Sequence, residues 1–182
     1  MKLRQFLILI ISIILVGSVL AGVSQALEPQ RPVANTTASL ANVRDYAVTA
    51  DVEAPGYAVD GGVLYAGQPL DWTEVATPEG VIVSAVAVDS ANADAVYIGA
   101  ANELTIYRSL DRGENWLRVP LADGYVGGVT DIAVDGYQRL IYVGTDTAGL
   151  FRLRDVGASI VNSGQLLLDE PVLEVVAEST GL

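Results

Sequence analysis

Val96-Tyr97-Ile98-Gly99 and Ile141-Tyr142-Val143-Gly144 are two versions of one pattern, set 45 residues apart. Upstream, Ala87-Val88-Asp89 returns as Ala133-Val134-Asp135 after 46 residues, and downstream Ile106-Tyr107-Arg108 returns as Leu150-Phe151-Arg152 after 44. Three landmarks in constant order at a nearly constant offset mark an internal repeat. Each landmark reads as a strand. Residues 83–88 and 95–100 are rich in β-branched and aromatic side chains, and polar or Gly-containing turns at 89–94 and 101–103 separate them. No segment after residue 40 carries a 3.6-residue apolar period. Val83-Ser84-Ala85-Val86-Ala87-Val88 is apolar or small on both faces. A strand with one wet face alternates more cleanly, so this one predicts a sheet covered on both sides.

A fainter copy precedes these two. Gly56-Tyr57-Ala58-Val59, the turn Asp60-Gly61-Gly62 and Val63-Leu64-Tyr65-Ala66 predict a hairpin, and Trp72 lies 44 residues before Trp116. Val172-Leu173-Glu174-Val175-Val176 opens a fourth copy close to Leu182.

Between the third and fourth strands of the middle copy stands Ser109-Leu110-Asp111-Arg112-Gly113-Glu114-Asn115-Trp116. The short polar side chain of Asp111 suits hydrogen bonding within its own turn, as does Ser109, and Gly113 supplies a positive φ without steric cost. Trp116 brings a large ring to bury at the start of the outer strand. The segment resembles the Asp-box, S-x-D-x-G-x-x-W, of the BNR-repeat family, which includes sialidases, sortilin-type receptor domains and a photosystem II assembly factor. The third copy keeps only Asp155 and Gly157, with Leu153 and Ile160 in place of Ser and Trp; the first keeps only Trp72. The resemblance covers about residues 45–178. It implies an all-β chain of β-propeller blades, about three four-stranded antiparallel sheets in an apparently incomplete propeller. It also makes Ser109, Asp111, Gly113 and Trp116, with the degenerate Asp155 and Gly157, a structural turn rather than catalytic residues.

The N-terminus predicts export. Lys2 and Arg4 precede an uncharged apolar run over residues 6–20, and Ser24-Gln25-Ala26 fits a small-x-small cleavage site. Residues 1–26 therefore read as a signal peptide, or as a membrane anchor if uncleaved, in either case a hydrophobic helix with the body outside the cytoplasm. Residues 27–44, with Pro29, Pro32, Asn35, Thr36, Thr37 and Ser39, read as a flexible linker, and 45–182 as the repeat body, with blades at about 45–76, 82–120 and 129–168 and a fourth beginning at 172.

Composition narrows the chemistry. The 182 residues hold 10 Lys+Arg against 22 Asp+Glu, no His and no Cys. Zinc sites of the Cys/His type, disulfides and His-based triads are excluded, and so is nucleic-acid binding through a basic surface. Removing residues 1–26, which contain Lys2 and Arg4 and no acid, takes the formal charge from −12 to −14 and removes the only lysine, and with it Schiff-base and P-loop lysine chemistry. Asp131, Asp135 and Asp146 are scattered and form no calcium loop, so no metal and no cofactor are expected.

Two functions compete. A sialidase-like glycosidase is the first, with a Tyr nucleophile assisted by a carboxylate. The family resemblance asks for an arginine triad and an early Arg-Ile-Pro segment as well. The chain lacks that segment, and beyond the leader its arginines are Arg31, Arg44, Arg108, Arg112, Arg118, Arg139, Arg152 and Arg154. The second is a non-catalytic module for protein or carbohydrate binding, whose ligand loops contain Glu79, Asn102, Glu103, Asp123, Tyr125 and Asp146. A partner is otherwise unspecified. Self-association to complete a propeller is expected if an arc of blades leaves apolar end faces bare.

Overall fold

The computed structural model describes residues 29–31, 33, 37–167 and 170–177. The expected N-terminal hydrophobic helix lies outside them. The described residues contain no helix, and thirteen strands among them form three antiparallel sheets. The first sheet holds β1 (Thr37–Ala38), β2 (Val43–Ala47), β3 (Gly56–Asp60), β4 (Val63–Gln68) and β5 (Asp71–Glu74), in the order β1-β5-β4-β3-β2. The second is the meander β6 (Val83–Asp89), β7 (Asn92–Ala100), β8 (Thr105–Ser109) and β9 (Leu117–Pro120); the third is β10 (Val129–Asp135), β11 (Leu140–Thr145), β12 (Leu150–Asp155) and β13 (Ile160–Leu167). They stack as consecutive propeller-type blades, with β2, β6 and β10 side by side as the inner strands.

Strand alternation builds the stack. Along β7, Val96 and Ile98 point into one apolar cluster with Tyr57, Val59 and Leu64 of the first sheet, while Tyr97 points into another with Ile132, Ile141, Phe151 and Leu153 of the third. On β8, Tyr107 and Ile106 divide the same way. The middle sheet is thus sealed on both faces, and Ala85, Val96, Ile98 and Ile106 are fully or almost fully buried. Of these, the Val and Ile side chains each contribute roughly 1.5–3 kcal/mol on removal from water. Among the described residues the end sheets are less completely covered: Val43, Tyr46 and Val48 on one side and Val161, Leu166 and Leu167 on the other are about half exposed.

The glycine that closes the repeated pattern has a steric cause. A Cβ on Gly99 would stand 2.4 Å from Val129 Cγ1, and one on Gly144 would stand 3.0 Å from Val172 Cγ1. At each seam the next inner segment crosses the second strand at this point, and only glycine lets the two backbones approach. Register shifts at Val43/Asp45, Val83/Ala85 and Val129/Asp131 bend all three inner strands at the same repeat position.

Polar groups on the inner strands fasten one blade to the next. Asp45 accepts the Val86 amide at 2.7 Å, and Asp131 accepts the Val175 amide at 2.6 Å. The middle blade has Ala85 at this position, and Ser84 beside it donates to Val129 O at 2.6 Å, as Thr130 donates to Val172 O. Residues 172–177 form no strand, yet they lie against β10 as the next inner segment.

One expectation is corrected. Within the expected linker 27–44, the described residues 29–31 and 37–44 do not run free of the body. Gln30 pairs with Pro78, Arg31 N donates to Thr77 O, and Arg31 forms an ion pair with Glu74 at 2.6 Å. Thr37–Ala38 adds an edge strand to β5, so the first sheet has five strands rather than four, and Val43–Ala47 is already its inner strand. The docking runs largely through backbone groups, which polar, apolar-poor text does not advertise. The added strand also covers a sheet edge that would otherwise invite pairing.

Three tyrosines are buried at the seams. Burial pushes Tyr57 up to about 12; its hydroxyl has no hydrogen-bond partner among the described residues. Burial likewise raises Tyr97 and Tyr107, whose hydroxyls donate to Asp155 and Glu103. A raised folded-state value means stability that is complete below the unfolded tyrosine value of about 10 and is lost as pH climbs through the folded one. The melting temperature is therefore expected to fall continuously as pH is raised above about 10. A flat melting profile across that window would show that the rings titrate freely.

Candidate functional site

The turn 109–116 is held together from within. Ser109 Oγ accepts the amides of Asp111 (3.1 Å) and Gly113 (2.7 Å) and donates to Asp111 Oδ1 (2.7 Å). Asp111 accepts both the amide and the side-chain NH2 of Asn115, at 2.8 and 2.7 Å. Burial acts to raise the Asp111 carboxyl, but these donors outweigh it and hold the group below its ordinary value. Gly113 has φ +95°. Trp116 does not rest on its own hairpin alone: it is fully buried at the seam with the first sheet, and Nε1 donates to Ala76 O at 2.8 Å. The Ser109 and Asp111 side chains are thus engaged within the turn itself, while Arg112 reaches outside it to pair with Asp94.

Asp155 and Gly157 occupy the corresponding turn of the third sheet. Asp155 Oδ1 accepts the Gly157 amide at 2.7 Å, which is the same local chemistry. The carboxylate also reaches across the seam, where Arg108 Nη1 meets both its oxygens at 2.7 and 2.8 Å and Tyr97 donates at 2.9 Å. The side chains of Arg108 and Asp155 are 5% and 12% exposed, so this is a buried charge pair inside the stack.

Alternating strand direction places the turn β7–β8, the connection β9–β10 and the turn β11–β12 at one end of the blades. The six loop residues separate there. Asn102, Glu103, Asp123 and Tyr125 line one cavity of about 360 Å3 together with Thr105 and Arg118. Asn102 also donates to Gly80 O at 3.2 Å, tying the loop to the preceding connection. Asp146 lies beside the cavity and accepts the Gly128 amide at 2.8 Å. Glu79 is exposed, does not line the cavity, and its amide donates to Pro29 O.

Inside the cavity, Glu103 Oε1 accepts from Tyr107 Oη at 2.6 Å, and Oε2 accepts from Arg118 Nη2 at 2.6 Å and Thr105 Oγ1 at 3.0 Å. Burial acts to raise the Glu103 carboxyl, but the Tyr107, Arg118 and Thr105 donors outweigh it and keep the group below its ordinary value. At neutral pH it is a carboxylate fixed beside a guanidinium, and it has no proton to donate. Tyr125, on the β9–β10 connection, is 44% exposed and lines the same cavity.

A second cavity, about 940 Å3, lies along the inner strands. Arg44, Asp45, Ser84, Thr130, Asp131 and Glu174 supply its polar lining. Asp45 and Asp131 are engaged by amides there, each by its own following residue (2.7 and 2.8 Å) and by the neighbouring inner segment. The sequence reading did not single out Arg44 or Asp45, nor Arg118 as a cavity residue. The signal was present: Asp45, Ala85, Asp131 and Glu174 share one repeat position.

No family model and no curated protein matches the sequence. The fold is similar to that of solved structures. One is a GH74 enzyme from Niastella koreensis, at a TM-score of 0.50 and 17% identity over 66% of this chain and 22% of that one. Another is the GH74 xyloglucanase from Xanthomonas campestris, at 0.50 and 24% over 73% of this chain and 22% of that one. A third is the extracellular domain of a hybrid two-component system from B. thetaiotaomicron, at 0.52 and 15% over 76% and 18%. The chain spans about a fifth of the length of each. At these identities the likeness is one of fold, and the fold is that of propeller-type blades.

Proposed function

We propose that the chain is an extracytoplasmic, non-catalytic propeller-type module of the BNR/Asp-box kind that holds a protein or carbohydrate in the cavity at the loop end of the middle blade. The observation that carries this reading is the convergence in one cavity of a fixed carboxylate–guanidinium pair, Glu103–Arg118, with the partly exposed residue Tyr125. Pockets of this size, with a few placed polar groups and an aromatic wall, are the usual form of a ligand site. The leader pattern of residues 1–26 supports export, and one similar structure is itself an extracellular domain.

Two features support binding over catalysis. Glycoside hydrolysis needs a protonated acid near its partner carboxylate, and Glu103 is kept ionised. A sialidase clamp needs several arginines converging on one carboxylate; here Arg31, Arg108, Arg112 and Arg118 each pair with a different acid, Glu74, Asp155, Asp94 and Glu103. The test is an NMR ligand screen on the full chain, run beside hydrolysis assays on fluorogenic sialosides and neutral glycosides. Shift changes confined to residues 102–105, 118 and 122–127, without turnover, are expected. Turnover abolished by Glu103→Gln would make the chain a glycosidase and overturn the proposal.

A further inference from the structure

We infer that the ligand of the loop-end cavity is a neutral saccharide, an inference that rests on the binding-module reading above. Charge removes the anionic alternatives first. The chain carries −12 overall, and its one cavity guanidinium, Arg118, is already neutralised by Glu103 at 2.6 Å. A sialic acid or uronic acid carboxylate would meet Glu103 and Asp123 without a free cation to pair with. Amines are removed next. The part-buried carboxylate, Glu103, already accepts from Tyr107, Arg118 and Thr105, so an incoming ammonium would have to displace a guanidinium and two hydroxyls. Asp123 is exposed, and an exposed ion pair contributes little.

What remains on the walls is chemistry for hydroxyl groups. A guanidinium has five N–H donors; Nη2 of Arg118 is held by Glu103 and Thr105, and the side chain is still 41% exposed, which leaves donors for ligand oxygens. The Asp123 carboxylate offers acceptors for ligand O–H groups. A planar donor and a nearby acceptor suit a pair of adjacent sugar hydroxyls, each of which both donates and accepts. Tyr125 adds an aromatic face for the apolar side of a pyranose ring, and the 360 Å3 of space falls in the range of a small-ligand pocket.

Isothermal titration of the full chain against three probes decides the matter: a neutral gluco-oligosaccharide, sialyllactose and spermidine. The expected result is binding of the neutral oligosaccharide alone, weakened about tenfold or more by Tyr125→Ala and by Arg118→Met. Melting temperatures of both variants, measured in parallel, separate lost binding from lost folding; Arg118→Lys, which keeps the charge and loses the fork, is expected to bind weakly but melt normally. Binding of sialyllactose or spermidine in place of the neutral sugar, sensitive to Tyr125→Ala, would overturn the inference and leave the binding module standing. Binding of none of the three, with no cavity shifts in the broader screen, would overturn both. Neutral-sugar binding untouched by either substitution would place the site elsewhere and overturn the inference as well.

Discussion

Replacing Trp116 by alanine is expected to cost the fold about 3–5 kcal/mol, the range for deleting a fully buried aromatic side chain from a core. The ring is 0% exposed and packs in the seam cluster with Tyr57, Leu64, Val81 and Tyr107, so its removal empties the contact between the first and second sheets. Its Nε1 is the donor for Ala76 O, a carbonyl 40 residues away on the connection between the two blades. Gly113 backs the ring from within the same turn: a Cβ there would lie 2.5 Å from Val75 Cγ1 and 3.3 Å from the indole. The turn and the seam therefore fail together. Against a total stability of about 5–15 kcal/mol, such a loss is large enough to leave much of the protein unfolded near physiological temperature. Trp116→Phe separates the two contributions. It keeps most of the apolar area and deletes the hydrogen bond, and should cost about 1–3 kcal/mol, mainly for the unsatisfied carbonyl. Urea melts followed by circular dichroism give both numbers. A change under about 1 kcal/mol for the alanine variant would mean that the ring does not hold the seam.

The sequence is legible wherever a side-chain pattern has a local cause. Two-faced apolar runs such as 83–88 announced a sheet covered on both sides, and Val83 to Ala87 are indeed interior. The repeated Gly99 and Gly144 were visible as text, but their reason, the passage of Val129 and Val172, is 30 and 28 residues distant and could not be read. The same limit applies to polar residues. Nothing local distinguishes Glu103, which joins Tyr107, Arg118 and Thr105, from Glu79, which lines no cavity. Asp45 and Asp131 look like surface acids until the neighbouring inner segment places an amide before each of them. The docked N-terminal stretch was missed for another reason. Gln30 and Thr37–Ala38 are fixed through backbone pairing that almost any residue can make, so composition says linker where topology says edge strand.

The second seam should be as sensitive as the first, for electrostatic rather than packing reasons. Arg108 and Asp155 belong to different blades, 47 residues apart, and are nearly buried, with both carboxylate oxygens within 2.8 Å of one guanidinium nitrogen. A buried pair of this kind adds little over a well-packed apolar contact, because removing both charges from water is costly. Deleting one partner is different, since it strands the other charge in a medium that cannot solvate it. Arg108→Met keeps the aliphatic stem and, among the described residues, leaves the Asp155 carboxylate with the Tyr97 hydroxyl and the Gly157 amide. The expected cost is about 3–5 kcal/mol. Adding Asp155→Asn removes the stranded charge while its side-chain oxygen can still accept from Tyr97 and Gly157. The double variant is therefore expected to be more stable than Arg108→Met alone, with a coupling of about 1–3 kcal/mol between the two positions. The buried pair, Arg108 Nε included, which has no partner among the described residues, would then be a device for aligning two blades rather than a large source of stability. Denaturant melts of the two single variants and the double variant complete the cycle. Strictly additive losses, or a cost below about 1 kcal/mol for Arg108→Met, would show that water reaches Asp155 and that the seam between the second and third blades rests on its apolar side chains alone.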